Sequence, residues 1–397
     1  MTFIPTRRPP RPHVMHMVAN LDLGGSEEVA LALTEWLAGE CEFSFFATLG
    51  IADTTVGRDM QERLRRLNVP VYCGTPLDMK RGGMIHGGLR LRQVLRRVRP
   101  DVLHLHTDIP DGAYAASTLF GRDGPGLRVV RTIHNTVIWP KWHRVGRWVE
   151  RRLEDTDIVA VSHASLEGLH RFRDSQGLRR LPGEQGVVVY NGVAARPLPP
   201  ARREPGPARV LFAARMEAQK GVDLLPAILE RAAALTSAPA SVTLLGHGTL
   251  EASLRRRMGT SSLRWPVTFG PPVPGLGARL ADYDVVLMPS RFEGLGLLGV
   301  EALIAGTPLI ASDIDGLREV VPPGHELLAP PEDVEAFARL LARVVEDPQA
   351  HRERARPLSA PTAERFSPAR MADAYLRIYR AHAERQVPAS PGRAVAV

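Results

Sequence analysis

Residues 289–313, PSRFEGLGLLGVEALIAGTPLIASD, follow an apolar run at Asp284–Met288 and contain the most apolar long stretch of the chain, Leu295–Ala311. That stretch is short for a bilayer span, and Glu301 interrupts its middle while Pro308 falls near its end. It reads as a buried helix leading into a buried strand at Pro308–Ala311. Strand, loop, helix and strand in this order form a parallel unit, whose strands are apolar because helices cover both faces of the sheet.

Working outward, the same alternation fills the chain. Upstream strand candidates are His13–Val18, Phe43–Thr48, Val69–Cys73, Asp101–His106, Arg128–Ile133, Asp157–Val161 and Val187–Tyr190, with helical stretches between them. Ala194–Ala208, AARPLPPARREPGPA, holds five prolines and no hydrophobic period, which marks a linker. The pattern restarts with Arg209–Ala213, Val242–Leu245, Val267–Phe269, Asp284–Met288, Pro308–Ala311 and a short Glu326–Leu328. The expected order is a disordered lead-in (1–12), a Rossmann-like domain (13–193), the linker (194–208), a second Rossmann-like domain (209–366), a helix packing back on the first domain (367–385) and a disordered tail (386–397). Two doubly wound parallel-sheet α/β domains bring two sets of carboxyl strand ends to one cleft, where open sheets bind ligands.

Composition narrows the function classes. A chain of 397 residues, 44% hydrophobic and 24% charged, has material for two large cores. Only Cys41 and Cys73 are present, without metal-ligand spacing, so neither a disulfide framework nor structural zinc is expected. The amino terminus lacks the apolar run of a secretory signal, and a cytoplasmic location is expected. The formal charge of +8 is carried almost wholly by arginine, with lysine only at positions 80, 141 and 220. With 6% aromatic residues, the interleaving of basic and aromatic side chains that nucleic acid requires is missing. Trp139, Trp142 and Trp148 with the basic residues of 141–152 suit an anionic membrane surface, which makes the inner face of the plasma membrane a candidate location; a solvated helix with inward tryptophans fits the same pattern.

Two segments can carry chemistry. In VLFAARMEAQKGVDLL, Arg215 and Lys220 lie five apart in a strand-to-helix turn beside Gly221, so two cations and free backbone N–H groups can converge on an anion such as a diphosphate; two solvated charges at a helix start are the plainer reading. In the opening segment, Glu293 falls in the loop after a strand and Glu301 about two turns into the following helix. A carboxylate among Leu298, Val300, Leu303 and Ile304 needs donors, and a ribose diol or an internal salt bridge to arginine would supply them. Gly294 and Gly296 allow close backbone approach, with a tight turn as the alternative. His104 and His106 alternate onto one strand face and make half a metal site, with no second pair of ligands evident in the sequence.

Arg215…Lys220-Gly221, the pair Gly246 and Gly248 in LLGHGTL, and Glu293…Glu301 followed by AGTPLIASDIDGLREV together resemble the donor half of retaining family-4 glycosyltransferases of the GT-B fold. GGSEEVALAL from Gly24, DVLHLH, RTIHNT, VAVSHAS and VVVYNGV extend the resemblance, in the family's order, over nearly the whole chain. The resemblance implies that Arg215 and Lys220 hold the donor diphosphate, that Glu301 binds the ribose and that Glu293 contacts the transferred sugar. It places Gly24, Gly25, Gly246, Gly294, Leu295 and Gly296 around the donor, His134 near the donor sugar, and His106 and Asn135 on the acceptor side. Asn135 stands where many relatives carry an acid, and His247 separates the two glycines of LLGHGTL.

The implied activity is transfer of a hexose from a nucleoside diphosphate to an acceptor hydroxyl, with retention in the family's manner, in cell-surface polysaccharide or glycolipid synthesis. The donor is a substrate, and no cofactor or metal is expected; Asp313-Ile314-Asp315 matches a DxD metal motif by letter but falls in the family's second-domain loop. The acceptor is a carbohydrate, lipid or small molecule. A noncatalytic sugar-nucleotide-binding partner of an active transferase shares all these residues, whereas an NAD-dependent oxidoreductase would carry GxGxxG where this chain has LDLGGSEE.

Overall fold

The computed structural model describes residues 11–22, 24–106, 108–121, 126–140, 142–182, 186–194 and 206–386. Most of the expected lead-in, linker and tail lies outside the described residues, as do Leu23, Thr107 and Lys141.

Seven strands form the first sheet: β1 (His13–Val18), β2 (Glu42–Ala47), β3 (Val71–Cys73), β4 (Val102–His106), β5 (Arg128–Ile133), β6 (Asp157–Ala160) and β7 (Gly186–Val188). Their order is β3-β2-β1-β4-β5-β6-β7, and every pair is parallel. Six more form the second: β8 (Ala208–Ala213), β9 (Ala240–Leu245), β10 (Val267–Gly270), β11 (Val285–Met288), β12 (Leu309–Ser312) and β13 (Leu328–Ala329), in the order β10-β9-β8-β11-β12-β13, again all parallel. Central strands such as β4 and β11 are buried along their whole length, which is why they read as apolar runs without alternation.

The strand order reverses between β1 and β4 in one lobe and between β8 and β11 in the other. Ligands of open α/β sheets bind beyond the carboxyl ends of strands at such reversals. The loops that begin after Val18, His106, Ala213 and Met288 leave from those ends.

The lobes touch through specific groups. Glu319 of the second lobe accepts the backbone N–H groups of His163 (3.1 Å) and Ala164 (2.6 Å) and the Tyr190 hydroxyl (2.9 Å). It thereby satisfies the positive end of the helix His163–Ser175 from across the interface. Ser162 Oγ donates to Gly294 O at 2.6 Å nearby. The helix Pro368–Gln386 returns to the first lobe, where Tyr375 and Tyr379 are wholly buried beside β4 and β5.

One local expectation is corrected, and one open reading is decided. Gly221 does not start an α-helix: it takes a left-handed conformation (φ 68°) between the short 3-10 turns Ala218–Lys220 and Val222–Leu224, and the helix begins only at Leu225. A Cβ at that position would come within 2.0 Å of Pro289 O, so close packing against the β11 loop explains the glycine. The tryptophans near residues 141–152 do not face solvent. Trp139, in the loop before the helix His143–Arg152, is buried, and Trp142 at its N-cap and Trp148 within it are partly buried against the first-lobe core, while Gly146 and Val149 form the helix's buried face.

Candidate active site

A cavity of about 190 Å³ lies between the lobes and adjoins a second of about 510 Å³; Gly24, Ser26, His134, Arg215, Lys220 and Glu293 belong to the walls of both. The second lobe supplies the cations. Lys220 Nζ contacts both oxygens of Glu293, at 2.6 and 2.7 Å, and Ser290 Oγ donates to Glu293 Oε1 at 2.8 Å. Arg215 is exposed and donates to Gln219 Oε1 at 3.1 Å, while Gln219 Nε2 donates to Phe292 O at 3.1 Å. Glu293 is thus internally paired, and its partner is the lysine.

Opposite stands the amino end of the helix Gly25–Leu37. Its N-cap, Gly24, offers no side chain, and the first backbone N–H returned into the helix is that of Glu28, to Gly24 O at 3.2 Å. The N–H groups at the start of this helix, with Gly25 and Ser26 on the cavity wall, make a positively polarised edge suited to an anion. Bulk at Gly24 would strike the Glu27 carboxylate at 2.0 Å, and Gly25 has room for a Cβ only against Leu297 of the other lobe.

His134, just past β5, faces both cavities and heads a chain of imidazoles. Its Nε2 lies 3.0 Å from His106 Nδ1, and His106 Nε2 lies 3.0 Å from His16 Nδ1. His16 Nε2 ends the chain without a partner, with the His16 ring stacked on Phe43. If every N–H points toward His134, the orphan at the buried end is a bare lone pair; the reverse strands an N–H, the rarer arrangement. The chain thus favours an N–H on His134 Nδ1. Burial lowers the pKa of His134 and of His16 to about 3, and lowers those of His104 and His106 as well, so these rings are neutral at working pH.

The remaining expected residues divide. Asn135 lines the larger cavity, with its Oδ1 accepting the Thr136 N–H at 2.9 Å. Gly294, Leu295 and Gly296 line the smaller one, and a Cβ on Gly294 would come within 2.0 Å of His134 O. His106 is fully buried behind His134 and does not reach a cavity wall. Gly246 (φ 143°) is required by the backbone: a Cβ there would meet Ala214 O at 1.9 Å, so the glycine seats the Arg215 loop and belongs to neither wall. Glu301 is in the helix Leu297–Ile304, little more than one turn from its start and not two, beside Gly277. Leu297 and Leu298 line the smaller cavity, and Glu301 lies one turn further along their face, beyond the wall itself.

Several residues were not singled out from sequence. His16 joins His104 and His106 in a group whose ring nitrogens lie within 4.8 Å of one another, completing three of the ligands a metal would need. Both nitrogens of His104 are engaged, by Tyr379 (2.7 Å) and Thr132 (2.7 Å), and both of His106 by its histidine neighbours, so the set is built as a hydrogen-bonded network. Only the pairing of His16 with His104 across β1 and β4 brings them together. Asp108 and Asp111, in DIPD directly after β4, also went unmarked, although a strand-end position was a legible signal.

Two parallel-sheet lobes with a cationic wall and a helix amino end around one interlobe cavity define the GT-B class of glycosyltransferase. The chain matches the family described as Glycosyltransferase Family 4 over residues 23–196 and Glycosyl transferases group 1 over residues 207–347, and it belongs to that family. It is 31% identical over 291 residues to a glycogen synthase of Mycobacterium tuberculosis, covering 69% of this chain and 67% of the relative. It is 30% identical over 369 residues to the alpha-D-kanosaminyltransferase of Streptomyces kanamyceticus, covering 83% and 91%. Among solved structures, Anabaena Alr3699/HepE in complex with UDP and glucose superposes with a TM-score of 0.73 at 18% identity over 94% of this chain and all of that one.

Proposed function

We propose that the cleft transfers a hexose from a nucleoside diphosphate to an acceptor hydroxyl, with retention and without a metal ion. The observation that carries this reading is the convergence of Arg215, Lys220 and the Gly24–Ser26 helix start on one cavity. The bond between the sugar carbon and the phosphate oxygen breaks first, its electron pair staying with the diphosphate. The acceptor oxygen then bonds to the sugar carbon, and its proton passes to the leaving phosphate oxygen. Negative charge grows on the diphosphate throughout, and preorganised cations aimed at such charge contribute on the order of 3 kcal/mol each. A lysine and an arginine can meet that charge where other transferases use a divalent ion.

Glu293, oriented by Lys220 and Ser290, accepts hydroxyls of the transferred sugar, and Glu301 takes the ribose one turn beyond Leu297 and Leu298 on the following helix. His134, neutral and carrying N–H on Nδ1, donates to a sugar oxygen and does not serve as a cationic acid. The Anabaena complex makes UDP-glucose the first donor to try. Among the described residues, a membrane contact would rest on the exposed Arg144, Arg147, Arg151 and Arg152 without aromatic insertion, and co-sedimentation with anionic vesicles at low salt tests it.

The test is mass-spectrometric detection of nucleoside diphosphate released from UDP-, GDP- and ADP-hexoses, with and without polyol acceptors. One donor is expected to turn over. Binding without turnover of any donor would favour the noncatalytic partner.

A further inference from the structure

The first-lobe wall of the larger cavity carries negative charge that its own side chains do not balance. Asp108 and Asp111 open the helix Asp108–Ser117 after β4, and both line the cavity, as do Asp22 and Glu27. Behind them Arg131 is fully buried and divides itself between Asp111 Oδ2 (2.8 Å) and Glu150 Oε1 (2.5 Å), while Arg173 reaches Glu150 Oε2 at 3.2 Å. The two guanidiniums thus serve Asp111 and Glu150, and Arg173 also reaches Glu154 Oε1 at 3.4 Å. The carboxylate without a cation is Asp108, whose Oδ2 accepts the Trp139 N–H at 3.0 Å. Asp111, only 3% exposed, leaves Oδ1 buried with no hydrogen-bond partner. Burial, with the charges of Asp111 and Glu150 adding, pushes the Asp108 carboxyl up to about 7; burial pushes that of Asp111 to about 6 against the pull of Arg131.

An ionised carboxylate only accepts hydrogen bonds, and an ammonium only donates them. A hydroxyl could fill Asp111 Oδ1 but would leave the charge in place. A phosphate would add a like charge to a half-buried acidic wall, where screening is weak. Arg215 and Lys220 stand on the opposite wall of this cavity, where Lys220 is closed on Glu293 and Arg215 donates to Gln219.

We propose that this wall selects an amine: the acceptor is a polyol bearing a protonated amino group, which donates to Asp111 Oδ1 and lies against Asp108. The assignment rests on the transferase reading, since it takes the larger cavity as the acceptor half of the cleft.

Isothermal titration of the full chain with three cyclohexane polyols separates the alternatives: 2-deoxystreptamine, with two amines; myo-inositol, neutral; and myo-inositol 1-phosphate, anionic. The diamine is expected to bind at least ~10-fold more tightly than myo-inositol, and the phosphate most weakly. Asp111→Asn is expected to remove most of that ~10-fold preference, and Asp108→Asn, which breaks no ion pair, to lower it in the same direction. Equal or tighter binding of the neutral or phosphorylated ring, no measurable binding of the diamine, or an unchanged preference in both folded variants overturns the proposal. UDP, GDP and ADP titrated separately report on the donor half. Nucleotide binding without amine preference sinks this assignment alone, and amine preference without nucleotide binding sinks the transferase reading instead.

Discussion

Lys220 and Glu293 form a closed pair, with the ammonium 2.6 and 2.7 Å from the two carboxylate oxygens. Two of the three ammonium protons are committed to Glu293, which leaves one for an anion in the cavity. The lysine therefore holds a sugar-facing carboxylate and meets a phosphate with the same group, and the two jobs are coupled.

Lys220→Ala removes the partner of a carboxylate that is only 6% exposed. Breaking a buried pair from one side costs about 3–5 kcal/mol, and the partial exposure of Lys220 places the expected loss near the low end, at about 3 kcal/mol. Adding Glu293→Gln should restore much of the stability while transfer stays abolished. Urea unfolding beside an activity assay checks both. Activity in the single variant close to that of the parent would remove Lys220 from the donor site.

Acid should destabilise the first lobe through its histidines. His16 and His134 titrate near 3 when folded and near 6.5 when unfolded, so the unfolded chain binds more protons between those values. Their stabilising contribution is present above pH 6.5 and is lost as pH falls toward 3, at about 1.4 kcal/mol per pH unit for each ring. Asp108 and Asp111, raised to about 7 and 6, act with the opposite sign, losing their contribution as pH rises through those values. His16→Phe isolates one ring: between pH 6.5 and 5 its stability relative to the parent should improve by about 2 kcal/mol. A pH-independent difference would contradict the neutral chain.

Glu319→Ala should loosen the lobes without unfolding either. Three donors from the first lobe lose their acceptor, at a cost of about 1–3 kcal/mol. The expected readouts are a larger radius of gyration in solution scattering and a higher KM for the donor. An unchanged radius and KM would show that the clasp does not set the cleft.

Gly294→Ala tests the approach of the lobes from the other side. Its Cβ would be 2.0 Å from His134 O, a backbone atom that cannot step aside alone. The prediction is at least ~100-fold lower kcat/KM, the effect of a small misplacement of reacting groups, with little change in the thermal midpoint of either lobe. Activity within a factor of two of the parent would refute it.

The reach of the sequence depended on the range of the relationship being read. Strands β1, β5 and β8 were legible almost to the residue because short runs rich in valine, isoleucine and other apolar residues between helical stretches have few other uses. Lys220 and Glu293 were each visible, but their pairing spans 73 residues and two loops, and no local pattern announces it. His16 was overlooked because its meaning comes from the register of β1 against β4. Gly246 was ambiguous for a physical reason: a glycine demanded by a carbonyl of its own lobe looks, in sequence, like one demanded by a ligand.

The most direct test is titration of the parent and Arg215→Ala with UDP, GDP and ADP by calorimetry. Arg215 is exposed, so its loss should leave the fold intact. The account predicts that at least one nucleotide binds the parent and that the variant binds it at least ~10-fold more weakly, the loss of about 1.4 kcal/mol expected for a charge-assisted contact to phosphate. Equal affinity in the two proteins, or no binding of any of the three, would contradict a diphosphate held between Arg215 and Lys220.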